Sequence, residues 1–222
     1  MDRLKALIFV IMIVLVVLSG TCLAADHDDF QARFASAFSF DLKENWGATI
    51  YEEFNFTDDA SELSGQANEL SVTYSGLADW FDLTGAYCQY FGKSGETWNQ
   101  TNIPWIAGTI KWDMFGMDMS NKARFDYNRR EGSEDGWLYK NDFTVTFPLK
   151  LTSYEIQPYL YDEVIYDFDT SRVSYNEFRS GVNSKLSEMV GLGVYYLLGH
   201  SKTVAGDWER AHMAAVQVNL SF

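Results

Sequence analysis

The sequence predicts an all-β protein, a single up-and-down antiparallel barrel of about 10–12 strands. Three observations predict it. Apolar and polar residues alternate with period two in segment after segment, which gives a strand one greasy and one polar face. After residue 24 no apolar run approaches a helical span and no helical periodicity persists. The alternation also continues to the last residue, where Val216, Val218, Leu220 and Phe222 alternate with Gln217, Asn219 and Ser221.

Met1 to Ala24 has the layout of a secretory signal peptide. Arg3 and Lys5 make a positive start, Ala6 to Leu18 is an unbroken apolar run, and small residues follow. The run is too short for a membrane-spanning helix, which needs about 20 apolar residues. Cleavage is expected near Ala24 or Ala25, leaving residues 25–222 as one domain. The alternative, a lipoprotein signal acylated at Cys22, fits less well, because Ser19 and Thr21 occupy the flanking places where such sites resemble an aliphatic and a small residue.

The strands follow in order. Phe34, Phe38 and Phe40 alternate with Arg33, Ala35 and Ser39. Trp46, Ala48, Ile50, Phe54 and Phe56 oppose Thr49, Tyr51, Glu53 and Asn55. Leu70, Val72 and Tyr74 form the next apolar face, then Phe81, Leu83 and Tyr87, then Ile106, Ile110 and Trp112. The cleanest segment is 117–128: Met117, Met119, Ala123, Phe125 and Tyr127 face one way, and Asp118, Ser120, Lys122, Arg124, Asp126 and Asn128 the other. Trp137, Tyr139, Phe143 and Val145 oppose Lys140, Asp142 and Thr144. Pro158 and Leu160 oppose Tyr159 and Tyr161; Phe178 and Val182 oppose Arg179 and Asn183; Val194, Tyr196 and Leu198 oppose Tyr195, Leu197 and Gly199. Ten strands lie between residues 46 and 222. The segment at 30–40 makes eleven, an odd number where bacterial single-chain barrels use even ones, so it is expected either outside the main strand order or beside a twelfth. Glu52 falls on an apolar face, which a bulge near Tyr51 would correct.

Breaks near 41–45, 78–79, 114–116, 148–152 and 187–189 read as short turns. Those near 57–67, 92–102, 129–136, 166–172 and 200–207 read as longer polar loops. Short turns at one end and long loops at the other is the pattern of outer-membrane barrels. Trp46, Trp80 and Trp112 fall beside the short turns, and Trp105, Trp137 and Trp208 beside the long loops, as two interfacial belts would require. The polar faces carry too many charges for a dry sandwich interior. Inside a barrel they can pair with each other and with water. Glu53, Lys122, Arg124, Asp126, Asp142, Glu163 and Arg179 are therefore expected to form a charge network in the lumen, with Arg124 and Lys122 reaching Asp142, Glu53 or Glu163. The apolar faces then meet lipid. Val216, Val218, Leu220 and Phe222 look like the C-terminal signal by which bacterial outer-membrane barrels are recognised for insertion.

Charge and cysteine content narrow the function. Of 17 basic and 31 acidic residues the leader holds Arg3, Lys5 and Asp2, leaving 15 and 30 and a net charge of −15. Nucleic acid, which needs a basic footprint, is excluded as a partner. Cys88 alone survives cleavage, so there is no disulfide framework and no Cys/His metal set. No cofactor and no metal are expected. The acidic loop 131–135 lacks calcium-loop spacing. The histidines left are His27, His200 and His212, and His212 is expected to face outward. No catalytic residues are assigned. An outer-membrane enzyme with a site at the outer rim, protease or lipid-modifying, and a small solute channel stand as alternatives to a filled barrel. The implied partners are membrane lipid, lipopolysaccharide and the outer-membrane assembly machinery.

In the last third, YNEFRSGVNSKLSEMVGLGVYYLLGHSK and GDWERAHMAAVQVNLSF resemble the C-terminal half of a bacterial family, domain of unknown function 2490. The matching features are the strand from Arg179 to Leu186, Tyr195-Tyr196-Leu197-Leu198, Trp208 and His212; residues 159–168 also resemble it. The resemblance implies an outer-membrane barrel and supplies no catalytic residue or ligand.

Overall fold

The computed structural model describes residues 30–132, 134–203 and 205–222. The leader, His27 and its flanks lie outside them. Eleven strands make up the described chain: β1 (Phe30–Lys43), β2 (Trp46–Thr57), β3 (Glu62–Ala78), β4 (Phe81–Ser94), β5 (Thr97–Met114), β6 (Met117–Arg130), β7 (Gly136–Thr146), β8 (Gln157–Asp167), β9 (Arg172–Lys185), β10 (Val190–Lys202) and β11 (Trp208–Ser221). They close into one barrel in which each strand pairs with its neighbours in sequence, and β1 pairs with β11.

The odd strand resolves without a twelfth. In an up-and-down chain of eleven strands the first and last run the same way, so they can only meet in parallel. Phe30 pairs with His212 and Ser39 with Ser221 in that parallel ladder, while every other pair is antiparallel. Residues 30–40 thus belong to the barrel wall. Followed through paired residues once around the barrel, the register advances by about 14 residues, which tilts the strands by about 40°.

The connections depart from the expected alternation. The supposed long loops at 57–67 and 92–102 are mostly strand, with turns of only 58–61 and Gly95-Glu96. The longest connection, 147–156, lies at the end expected to hold short turns and contains its own bridge between Leu151 and Ile156. The reason is physical: beyond an apolar belt both faces of a paired strand are polar, so the period-two signal disappears while the ladder continues. The turn at Phe115-Gly116 places both residues at positive φ, 56° and 73°, as a two-residue hairpin turn requires.

Side chains alternate across the wall. Phe34, Ile50, Leu70, Ile106, Phe125, Phe178 and Val194 stand exposed on the outer face. Ala35, Ala37, Ala107, Tyr195, Leu197, Met213 and Ala215 are buried on the inner one. Trp46, Trp80 and Trp112 are exposed near one end, and Trp98, Trp137 and Trp208 near the other. Trp105 is not in a belt; it is buried inside, because it pairs with Asp126 on the inner face of β6. Glu52 stays on the outer face, paired with Ser36 and Asn68, with no bulge near Tyr51.

Candidate functional site: a charged interior

Cross-strand register decides which inward side chains meet. On one side of the barrel β3, β5, β6 and β7 contribute Glu69, Trp105, Lys122, Arg124, Asp126, Lys140 and Asp142. Arg124 grips Asp126 with two hydrogen bonds, Nη2 to Oδ2 at 2.9 Å and Nε to Oδ1. Its Nη1 lies 3.8 Å from Glu69 Oε2 on β3. Lys140 Nζ stands 3.3 Å from Asp126 Oδ2, and Lys122 Nζ 3.9 Å from Asp142 Oδ2. The Trp105 ring lies beneath both Arg124, at 4.1 Å, and Lys122, at 4.8 Å, and its Nε1 donates to Glu69 Oε2 at 2.8 Å. A cation over an indole face is held by the ring quadrupole, so Trp105 helps the carboxylates bind this half together.

The other half is built across the barrel seam. Arg33 on β1 donates from Nε to Asn55 Oδ1 at 2.8 Å, lies 3.4 Å from Glu53 Oε1 on β2, and reaches Glu177 on β9 with Nη1 at 3.9 Å. Tyr51 OH and Asn55 Nδ2 donate to the two oxygens of Glu53, at 2.6 and 2.9 Å. Glu177 also accepts from Tyr175 OH at 2.8 Å and pairs with Arg179. The Arg179 guanidinium lies over Tyr161 at 4.3 Å and Tyr195 at 5.1 Å, and Tyr161 OH donates to Glu163 Oε2 at 3.2 Å. Gly181 makes room for this packing: a Cβ there would stand 2.5 Å from Tyr195 Cβ and 2.6 Å from Val194 O.

All seven residues singled out for the network, Glu53, Lys122, Arg124, Asp126, Asp142, Glu163 and Arg179, face the interior. Lys122 meets Asp142 as the pairing of β6 with β7 dictates. Arg124 pairs with Asp126 and Glu69 rather than with Glu53 or Glu163. Sequence reasoning left out Arg33, Glu69, Trp105, Lys140 and Glu177. The alternation already placed Arg33 and Lys140 on polar faces. Trp105 was misread because an isolated Trp near a presumed loop resembles a belt residue. Asp126 is 0% exposed, Leu197 1% and Glu177 2%, so these three side chains are shut off from solvent. Three cavities, of about 480, 280 and 500 Å³, open at the end holding the β1–β2, β3–β4 and β9–β10 turns. Their linings mix hydroxyl and amide groups, such as Thr73, Thr144 and Asn183, with charged ones, such as Lys43, Glu188 and Asp118.

Among the described residues, no constellation for nucleophilic catalysis gathers around His200 or His212. His212 lies on the outer face, as expected, in contact with Tyr196. Cys88 is buried on the inner face. Among the described residues no three of His, Cys, Asp and Glu are grouped to hold a metal ion.

The family described as protein of unknown function, DUF2490, matches residues 30–210. The chain belongs to this family. The match takes in the N-terminal half, where the sequence alone shows only alternation, and so includes Arg33 and Glu53; it ends two residues before His212. No curated protein matches the chain.

Proposed function

We propose that the protein is an integral outer-membrane barrel whose interior is closed at mid-height by the Arg33–Arg124–Arg179 charge network. The observation that carries this is the inversion of polarity across one closed wall. Large apolar side chains stand exposed outside, and five cations with six carboxylates meet inside. In water this arrangement is backward. In a bilayer the exposed belt is solvated by lipid, and the closed sheet leaves no free strand edge. The strand tilt of about 40° lies in the range of membrane barrels. Phe222 and the apolar face of β11 then serve as the insertion signal, and residues 1–24 as the export signal.

With the mid-section closed, the reading gives a barrel that does not conduct in its resting state. The cavities at the turn end, each lined by two carboxylates and a lysine among neutral groups, open on that side. The test combines two measurements on the cleaved chain. Flotation of the refolded protein with lipid vesicles is expected. Planar-bilayer recordings are expected to show no steady conductance in the native protein and ion flow in an Arg33→Ala/Arg179→Ala variant. A steady ohmic current from the native protein would favour the solute-channel alternative.

A further inference from the structure

Two polar side chains occupy the centre of the outer wall. β7 and β8 have 11 residues each, fewer than any other strand; Asn141 is the middle residue of β7 and Asp162 of β8. Both face outward. Asn141 pairs with Ala123 and Val164, and Asp162 with Phe143 and Phe178. Eleven residues at this tilt rise about 25 Å along the axis, the height of an apolar band, so both side chains fall at its centre. Asn121 and Asn141 exchange amide hydrogen bonds at 3.0 and 3.2 Å, and the second N–H of Asn141 makes only a long 3.4 Å contact to Tyr139 OH, which a carboxylate, a stronger acceptor, would replace. Asn176 Nδ2 donates to Asp162 Oδ1 at 3.1 Å. Among the described residues Asp162 makes no ion pair within 4.0 Å.

An ionisable group at bilayer mid-depth is costly facing lipid and is retained where protein or water covers it. One amide donor satisfies only part of a carboxylate that has about four acceptor positions. We infer that the β6–β9 wall is the contact between two copies of this chain inside the membrane, an inference that rests on the membrane reading above. The placement of donor and acceptor selects a second copy. Asn141 and Asp162 are diagonal neighbours on adjacent strands. A twofold axis along the membrane normal, passing between β7 and β8, sets each Asn141 against Asp162 of the other copy at the same depth. The contact is self-complementary, as a closed dimer requires, and Phe143, Val145, Leu160 and Val164 surround it with apolar surface. A head-to-tail array is disfavoured. The other acidic side chain of the outer belt, Glu52 on β2, lies on the far side of the barrel and would meet Asp162 carboxylate to carboxylate.

The test uses the cleaved chain refolded into lipid vesicles and treated with a short bifunctional maleimide. Val164→Cys, beside the proposed axis, is expected to cross-link into a dimer; Val72→Cys, on the outer face of β3, is not. Cys88 is inside the barrel in both and out of reach. Adding Asp162→Leu to Val164→Cys is expected to lower the cross-linked fraction about tenfold. Asn141→Leu should do the same, should Asp162→Leu fail the heat-dependent gel shift of a folded barrel. Equal cross-linking of both cysteine positions, or dimers unchanged by the leucine variants, overturns the contact. Vesicle flotation separates the two readings. Protein that floats with lipid but stays monomeric refutes the dimer alone, and protein that does not float refutes the membrane reading beneath it.

Discussion

Asp126 is the residue whose removal tests the charged interior most directly. It is fully buried and holds two cations, Arg124 through two hydrogen bonds and Lys140 at 3.3 Å. Asp126→Asn keeps the shape and deletes the charge. Breaking a buried pair typically costs about 3–5 kcal/mol, because the partner's charge is left uncompensated. Arg124 keeps a second carboxylate, Glu69 at 3.8 Å, and the Trp105 face at 4.1 Å. Lys140 has no second ion pair within 4.0 Å among the described residues, only the more distant Glu163, so more of the loss falls on it. The expected cost is therefore about 3 kcal/mol, at the lower end of that range. A second substitution, Lys140→Met, removes the stranded cation and should recover about half of it. The assay is urea unfolding of the refolded protein in lipid vesicles, followed by tryptophan fluorescence, with Trp105 inside the affected cluster. A loss below about 1 kcal/mol, or no recovery in the double variant, would mean that water screens these charges and the interior is open.

Four further outcomes are expected. Trp105→Phe loses the hydrogen bond to Glu69 and part of the cation contact, and should cost about 1–3 kcal/mol in the same unfolding assay. Gly181→Ala drives a Cβ into the backbone of β10 and should cost about 1–3 kcal/mol, whereas the exposed Gly85, where a Cβ would meet nothing, should tolerate alanine at little cost. Phe222→Ser removes a half-exposed ring stacked on Phe40 at 5.4 Å, worth about 1 kcal/mol by area, so refolding in vitro should change little while outer-membrane yield in cells falls sharply; equal small effects would remove its role as an insertion signal. In the 147–156 connection the Lys150 ammonium holds the Glu155 carboxyl below its ordinary value, so that pairing is present above about pH 4.3 and is lost as pH falls through the lowered value; an NMR titration should show the shift disappear in Lys150→Ala.

The sequence shows the barrel most clearly where the wall has one apolar and one polar face. The segment 117–128 displays both faces with Asn121 as the one exception on the apolar side, and its inward charges are where the alternation puts them. The same signal fails at the ends. Residues 62–67 of β3 read as loop because Ser64, at a register shift, and Gln66, on the outer face, are polar as well. Pair partners were legible only between adjacent strands: Lys122 finds Asp142 through one ladder, whereas Arg33 finds Glu177 by reaching across β11 and β10, which no local pattern encodes. Trp105 shows the limit of residue identity as a guide. An indole prefers an interface when one edge is wet, but it serves equally as a cation platform when buried beside arginine.

The parallel seam gives the two halves of the interior different parts in assembly. Antiparallel neighbours follow one another in the chain, so each hairpin can form as soon as its chain is available. β1 and β11 meet only when Phe30 finds His212, at the far end of the described chain, and their ladder is parallel, a slightly weaker pairing per residue. Interactions that cross this junction therefore decide whether the sheet stays an open, edge-exposed meander or closes. Two sets of them are visible. At one end Phe222 donates its N–H to Ser39 O at 2.9 Å, accepts from Asp41 N at 3.2 Å, and stacks on Phe40. Inside, Arg33 ties β1 to Glu177, beyond both β11 and β10. The Glu69–Trp105–Arg124–Asp126 cluster lies wholly within β3–β6 and can form before closure, but the Arg33–Glu177 contact cannot. Loss of Asp126 should thus lower stability with little change in the rate of closure, whereas loss of Arg33 should slow closure out of proportion to its equilibrium cost.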